Sequence, residues 1–226
     1  MATDKQQITR FLSGGQTPAR TVVPPFGGYD GVASLPVETD GRAWDVLSYD
    51  PDAARALMKI ADVGRLVFKL TFPNRTRSKE MAQILQSQWH RNLGVEVKLA
   101  MQEWNVWVQT LQALTYGGMT EVGWGADYAD PNTFFENVDG RIDGSDWTDP
   151  EYRRLVDQAN AEGDPIIRMR MLAKCEEYLL RAMPVLTVLF DSYSYLQKPY
   201  VRGLTPNILD TPQFKSAWID TNWRPT

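Results

Sequence analysis

Three carboxylates fall within the ten residues EVGWGADYAD (121–130): Glu121, Asp127 and Asp130, set around Gly123, Trp124 and Gly125. Acids this close could act as an acid/base pair, hold a metal ion, or clamp an ammonium group. Glycoside hydrolysis would need one carboxyl with a raised pKa and a second facing the same pocket; Glu121 and Asp127 are the pair that could serve. Asp130 has a different character. Pro131 follows it, and Phe134, Phe135 and Val138 come next at helical spacing, so Asp130 is expected to cap a helix.

Asp127 starts no helix. It lies just past a candidate strand, in a loop with two glycines before it. In open α/β sheets ligands bind outside the carboxyl ends of the strands. Glycines there let a ligand approach, and they can leave N–H and C=O groups free to pair with an extended partner. A carboxylate suits an ammonium, and Trp124 would offer a flat apolar wall or a face for a cation. The structural alternative makes Trp124 a core residue and Asp127 a solvated turn residue. On residue chemistry alone both readings stand.

The other candidates are weaker. His90, the single histidine, sits beside Trp89 off a helix's apolar stripe and is expected at the surface. With one histidine and one cysteine, no Ser-His-Asp or Cys-His arrangement can be argued, and a histidine-rich metal site is excluded. Cys175 lies on an apolar helix face and is expected in the core. DGRIDGSDWTD (139–149) collects four acids without the spacing of a calcium-binding loop, so a solvated loop ending in the Asp149 cap is expected. Trp104 and Trp107, at helical spacing, are expected in the core. NRT (74–76) fits a glycosylation triplet but reads as a turn before a helix. No cofactor is expected.

The elements that would position these residues are marked by a repeated device. Asp50-Pro51, Asp149-Pro150 and Asp164-Pro165 each place a capping carboxylate before a proline at the first helical position. Helical spacing follows each one. Two further stripes, Met81-Ile84-Leu85-Trp89-Leu93 and Trp104-Trp107-Val108-Leu111, lack that start. Strands are expected at 66–72, 95–101, 119–124 and 184–190. The order from 66 to 125 is β-α-β-α-β, which asks for parallel strands with helical crossovers. Residues 13–49 are rich in Gly and Pro and read as an irregular connection. The tail from 200 to 226 has no helical period but holds Phe214, Trp218 and Trp223.

Composition bounds the rest. The chain has 226 residues, 43% hydrophobic and 23% charged, with a net charge of −4. Lys and Arg are scattered, which argues against a nucleic-acid face or a membrane-surface patch. The single cysteine permits no internal disulfide, and no apolar run is long enough to cross a bilayer. The opening MATDKQQITRFL has neither a basic nor an apolar signal-peptide region and reads as a helix start, so the chain is expected to begin inside a longer protein.

GWGADYADPNTFF resembles the GW-x-ADY-x-DPxxF signature of family 5 extracellular solute-binding proteins, the oligopeptide-, dipeptide- and nickel-type binding proteins of bacterial ABC importers. The likeness is not confined to that motif. ATDKQQITRFLSGGQTPA, YDPDAARALM, LGVEVKLAMQEWNVWVQTL and KPYVRGL with a closing WIDTNW look like further family segments, in family order, over essentially the whole chain.

The resemblance implies an α/β lobe of the type II periplasmic-binding-protein kind, with a mostly parallel sheet flanked by helices. Family members are longer and close two lobes on their ligand. By this likeness residues 1–199 are the C-terminal ligand-binding lobe, and 200–226 pack on an N-terminal lobe outside this chain. The implied protein is exported by a signal peptide absent here, is periplasmic or lipid-anchored at the cell surface, and hands its ligand to a membrane permease without doing chemistry. In peptide-binding members the aspartate of ADY holds the peptide's α-ammonium, and here that is Asp127. The backbone around GW pairs with the peptide like an added strand, here Gly123, Trp124 and Gly125; Trp124 would line a side-chain pocket. Some members carry an arginine three residues before that tryptophan, where it meets the peptide carboxylate. This chain has Glu121 there, which favours a cationic ligand or a smaller peptide. A second departure is Asp191 in VLFDSYSY, where many members have a run of tyrosines. Opine-like conjugates and metal chelates occur among the ligands of relatives.

Overall fold

The computed structural model describes the chain except residues 26, 137, 139–144, 206, 208, 210–212 and 225–226. It opens with helix α1 (Lys5–Leu12), whose first turn is capped by Asp4 accepting from the Gln7 amide at 2.8 Å. The Gly/Pro-rich connection then contributes β1 (Thr17–Pro18) and a hairpin of β2 (Pro36–Thr39) and β3 (Arg42–Asp45). Helix α2 (Pro51–Ile60) leads to β4 (Val67–Pro73), α3 (Thr76–Leu93), β5 (Glu96–Gln102), α4 (Trp104–Gln112) and β6 (Gly118–Thr120). After a 3₁₀ turn at Pro131–Phe134 come α5 (Pro150–Ala161) and α6 (Pro165–Ala182), then β7 (Leu189–Phe190), β8 (Val201–Arg202) and β9 (Trp218–Ile219).

Each Asp-Pro start is a cap. Asp50 accepts from the Ala53 amide at 2.9 Å, Asp149 from Glu151 at 2.9 Å, and Asp164 from Ile166 at 2.8 Å. The carboxylate satisfies amides that the first turn leaves without a carbonyl partner. Helix α3 ends at Gly94, which takes φ +69° and returns its N–H to the His90 carbonyl. The β-α-β-α-β order builds a wholly parallel sheet in the order β5-β4-β6, beside small antiparallel pairs β1–β7, β2–β3 and β8–β9. Leu70, Thr71, Phe72 and Pro73 of the central strand β4 are buried, as a strand covered on both faces must be.

Two apolar cores form. One gathers Leu70, Phe72 and Val97 from the sheet and Val95 just before β5 with Ile8 of α1 and Leu85 and Trp89 of α3. The other packs α5 on α6 through Tyr152, Val156, Leu172, Cys175 and Leu179, with Phe134, Phe135 and Ala126 against them. Residues 121–130 run from the end of the first core into the second. The β6 strand ends at Thr120, not at 124: β4 runs on beside it, but the next ladder bond would need an N–H from Pro73, which proline lacks. Of 184–190 only Leu189–Phe190 form a strand, with the Val188 carbonyl accepting from the Ala19 amide just before them. The connection 13–49 carries more order than its composition suggests. Part of the reason is Glu176 of α6, fully buried, which accepts from the Val22, Val23 and Val32 amides and the Tyr29 hydroxyl.

In the tail, β8 and β9 form a short ladder and Tyr200 packs on Trp223. Phe214, Trp218 and Ile219 stay exposed, as do Tyr193, Tyr195 and Leu196 before them. Among the described residues no helix is long and apolar enough to cross a membrane.

Candidate functional site

The three parallel strands end on one edge, and the loops that leave it carry the candidate residues. From β4 come Asn74, Arg75 and the start of α3; from β5 come Glu103 and Trp104 at the start of α4; from β6 comes the 121–130 segment. Parallel pairing fixes this arrangement, since the strand ends of a parallel sheet face one way.

At Glu121 the ladder closes with a last bond, its amide to the Thr71 carbonyl at 3.0 Å. Past it the backbone changes. From Val122 to Ala126 no N–H or C=O has a hydrogen-bond partner among the described residues, and Val122, Gly123, Trp124 and Gly125 are exposed. Trp124 is 44% exposed, which overturns the core alternative for it. Ala126 turns in and joins the helical core.

Asp127 is exposed, and its carboxylate has no partner among the described residues. Its backbone, in contrast, is fixed: its amide donates to Thr133 Oγ1 at 3.0 Å, and Thr133 is fully buried. Asp130 caps the 3₁₀ turn through the Asn132 amide at 2.9 Å, so the capping expectation holds on a tighter helix than expected. Arg168 of α6 grips the same carboxylate with two bonds, 2.6 and 2.9 Å. Burial works to raise the Asp130 carboxyl, but the Arg168 bonds and the Asn132 amide outweigh it and hold the group below its ordinary value. Both flanks of Asp127 are thereby anchored while its own charge is left free.

Glu121 faces another way. Its Oε1 accepts from Ser78 Oγ in the first turn of α3 at 2.9 Å, and its Oε2 is buried with no partner among the described residues. Burial raises its pKa against the pull of the Ser78 bond and of Arg77 and Arg75. Glu121 is thus drawn toward α3, and none of these contacts joins it to Asp127. Arg77 is committed to Asp191 by two bonds, 2.7 and 2.5 Å, which gives the unexpected acid after β7 a structural role.

Trp104 departs from expectation. Trp107 is buried, but Trp104 is 42% exposed, packed at a tilt against Trp107 and with the Arg75 guanidinium over its ring at 4.0 Å from the centroid. Helical spacing places the two indoles together without saying which one faces inward. Arg75, Ser78 and Glu176 were not singled out from the sequence. Glu176 had a signal: it occupies a core position in the stripe Leu172-Cys175-Glu176-Leu179-Leu180, where an acid demands partners. Cys175 is buried and His90 exposed, as expected. Most of the acidic loop, at 139–144, lies outside the described residues; among those described, no cluster of His, Cys, Asp and Glu could hold a metal ion.

Residues 1–145 match the middle segment of the bacterial extracellular solute-binding proteins, family 5. The chain is 28% identical over 222 residues to the oligopeptide-binding protein OppA of Bacillus subtilis, covering 96% of this chain and 40% of that protein. It is also 28% identical to the dipeptide-binding protein DppE of the same organism, covering 98% of this chain and 41% of the relative. Its fold matches the crystal structure of a periplasmic oligopeptide-binding protein from Borrelia burgdorferi with a TM-score of 0.80, at 24% identity, over 96% of this chain and 43% of that one. The chain therefore spans about two-fifths of the length of the curated relatives it matches.

Proposed function

The chain belongs to family 5 of the bacterial extracellular solute-binding proteins, and on that premise we propose that it is one ligand-binding lobe of a protein that captures short peptides for a membrane permease. The observation that carries this reading is the backbone of 122–125, which has no partner among the described residues, with the exposed Trp124 on it and the Asp127 carboxylate, likewise unpartnered among them, just beyond. An extended peptide can add to such a backbone as a strand, and main-chain bonds are indifferent to side chains. Its α-ammonium then reaches Asp127, whose position is held by Thr133 on one side and by the Asp130–Arg168 pair on the other.

In this proposal Gly123 and Gly125 keep the strand open to a partner, Trp124 forms the wall of a side-chain pocket, and Glu121 sets a preference for cationic groups nearby. Residues 1–199 form the lobe, and the exposed Phe214, Trp218 and Ile219 of the 200–226 tail cover part of an N-terminal lobe. Closure of two lobes by a hinge would present the loaded protein to its permease at the outer face of the membrane. No chemistry is assigned to Glu121 or Asp127.

Native mass spectrometry of the full-length protein, gently purified, beside its Asp127→Asn variant tests the reading. A heterogeneous set of adducts with peptide masses, lost in the variant, is expected. A single non-peptide adduct, or adducts that survive the substitution, would replace the peptide with another small solute or remove Asp127 from the site.

A further inference from the structure

The edge that presents Asp127 also presents a cation without a bonded acceptor among the described residues. Arg75 stands between the end of β4 and the start of α3, with its guanidinium over Trp104. Trp104 rests on Trp107 at 4.9 Å between ring centroids, and Trp107 Nε1 donates to Thr120 Oγ1 at 3.2 Å. The stack is therefore tied to the last residue of β6, next to Glu121. Arg77, two residues on, spends its guanidinium on Asp191. Glu121, whose carboxyl feels the Arg75 charge, bonds Ser78 instead. Arg75 is left with its side chain on an indole and no carboxylate bonded to it among the described residues.

A guanidinium seated over an indole makes no hydrogen bond to it, so its N–H fork stays available to meet a carboxylate with two parallel bonds. The indole limits the rotamers of the long side chain before any ligand arrives, so less freedom is lost on binding. We propose that Arg75, held on Trp104, receives the carboxylate of the ligand, at the opposite pole of the site from Asp127. This rests on the peptide-binding reading and adds to it a second charged anchor. It also supplies a cation in a chain that carries Glu121 in the 121–130 segment. A zwitterionic ligand would then lie across the strand ends, its ammonium at the β6 loop and its carboxylate at the β4–α3 junction, and the span between the two would select ligand length.

The test offers the full-length protein a pool of random di- to pentapeptides, half of it amidated at the C-terminus, and reads the retained species by mass spectrometry. The wild-type protein is expected to retain free acids at least ~10-fold over amides. In Arg75→Gln the ratio should fall to within about twofold while peptides are still retained through Asp127. Trp104→Leu, which removes the platform but not the charge, should lower the ratio partway. An acid preference that persists in Arg75→Gln, or peptide retention with no acid preference in the wild type, overturns the assignment of Arg75 and leaves the peptide reading standing. Retention of neither form by the wild type overturns both. Arg75 and Trp104 are exposed, and unchanged circular dichroism of the variants confirms that the fold is intact.

Discussion

Replacing Glu176 by alanine should be among the most destabilising single changes in this chain. The carboxylate is fully buried in α6. Its Oε1 accepts from the Val22 and Val23 amides at 2.8 and 2.9 Å; its Oε2 accepts from the Tyr29 hydroxyl at 2.8 Å and the Val32 amide at 3.3 Å. Burial, and then the adjacent Glu176 charge, push the Tyr29 hydroxyl well above its usual range, so it stays a donor. Truncation leaves these donors facing a cavity. The bonds to Val23 and Tyr29 are buried and those to Val22 and Val32 only partly so, which allows water to rescue the latter two. At roughly 1–3 kcal/mol for each fully buried orphan, the loss comes to about 3–5 kcal/mol. That is a large share of the ~5–15 kcal/mol typical of a domain, and at ~2–4 °C per kcal/mol it lowers the melting temperature by about 6–20 °C. Glu176→Gln keeps two acceptor bonds but turns an NH2 toward the Val32 amide, and should cost about 1–2 kcal/mol. Urea melts give the magnitude, and amide hydrogen exchange at Val22, Val23 and Val32 gives the location. An alanine variant that melts within about 1 °C of the wild type, with those amides still protected, would refute the claim that this carboxylate holds the 20–32 segment to α6.

Two further perturbations probe the sheet edge. Gly118 takes φ +139° at the start of β6, and a Cβ there would lie 2.5 Å from the Lys69 carbonyl oxygen. Gly118→Ala should therefore cost about 2–4 kcal/mol and loosen the β4–β6 pairing, seen as lost exchange protection of the Glu121 amide. Glu121→Gln should stabilise the protein at pH 7, because burial raises the carboxyl above its ordinary value and its charged form is the costly one. The sign follows from linkage: the folded state holds the proton more tightly, so the wild type loses stability as pH rises through the raised value. The advantage of the glutamine variant should shrink below about pH 4.5, where the wild-type group is neutral too; urea midpoints at pH 4 and pH 7 measure it, and equal gaps at both would contradict the assignment.

The helix starts were legible in the sequence because a cap is a bond between neighbours in the chain. Asp50, Asp149 and Asp164 reach amides two or three residues ahead, so the Asp-Pro pair and the spacing after it contain the whole interaction. The alternation of apolar residues in 95–101 and the β-α-β-α-β order likewise led to a parallel sheet, and the motif around GWGADYADP led to the family. The placement of Asp127 in the loop after β6 followed from the same local reading, whereas Trp124, expected within the strand, lies past its end at Thr120.

Contacts between distant segments were another matter. Nothing local tells which indole of α4 faces outward; Arg75, arriving from the end of another strand, meets Trp104 only once β4 and β5 are paired. Where β6 stops depends on what its neighbour offers: β4 runs on to Pro73, which has no N–H to continue the ladder, and the residues of β6 do not encode that. Glu121 and Asp127, six positions apart, were equal candidates for a pair until α3 supplied Ser78 and drew one of them aside. Glu176 is satisfied by amides as far as 154 residues away, so its apolar helix face shows the demand for partners while only the fold shows who meets it. Local sequence sets what a backbone segment can form by itself; tertiary packing decides which polar groups find partners and which, like the carboxylate of Asp127 and the backbone beside it, are left exposed for something else to bind.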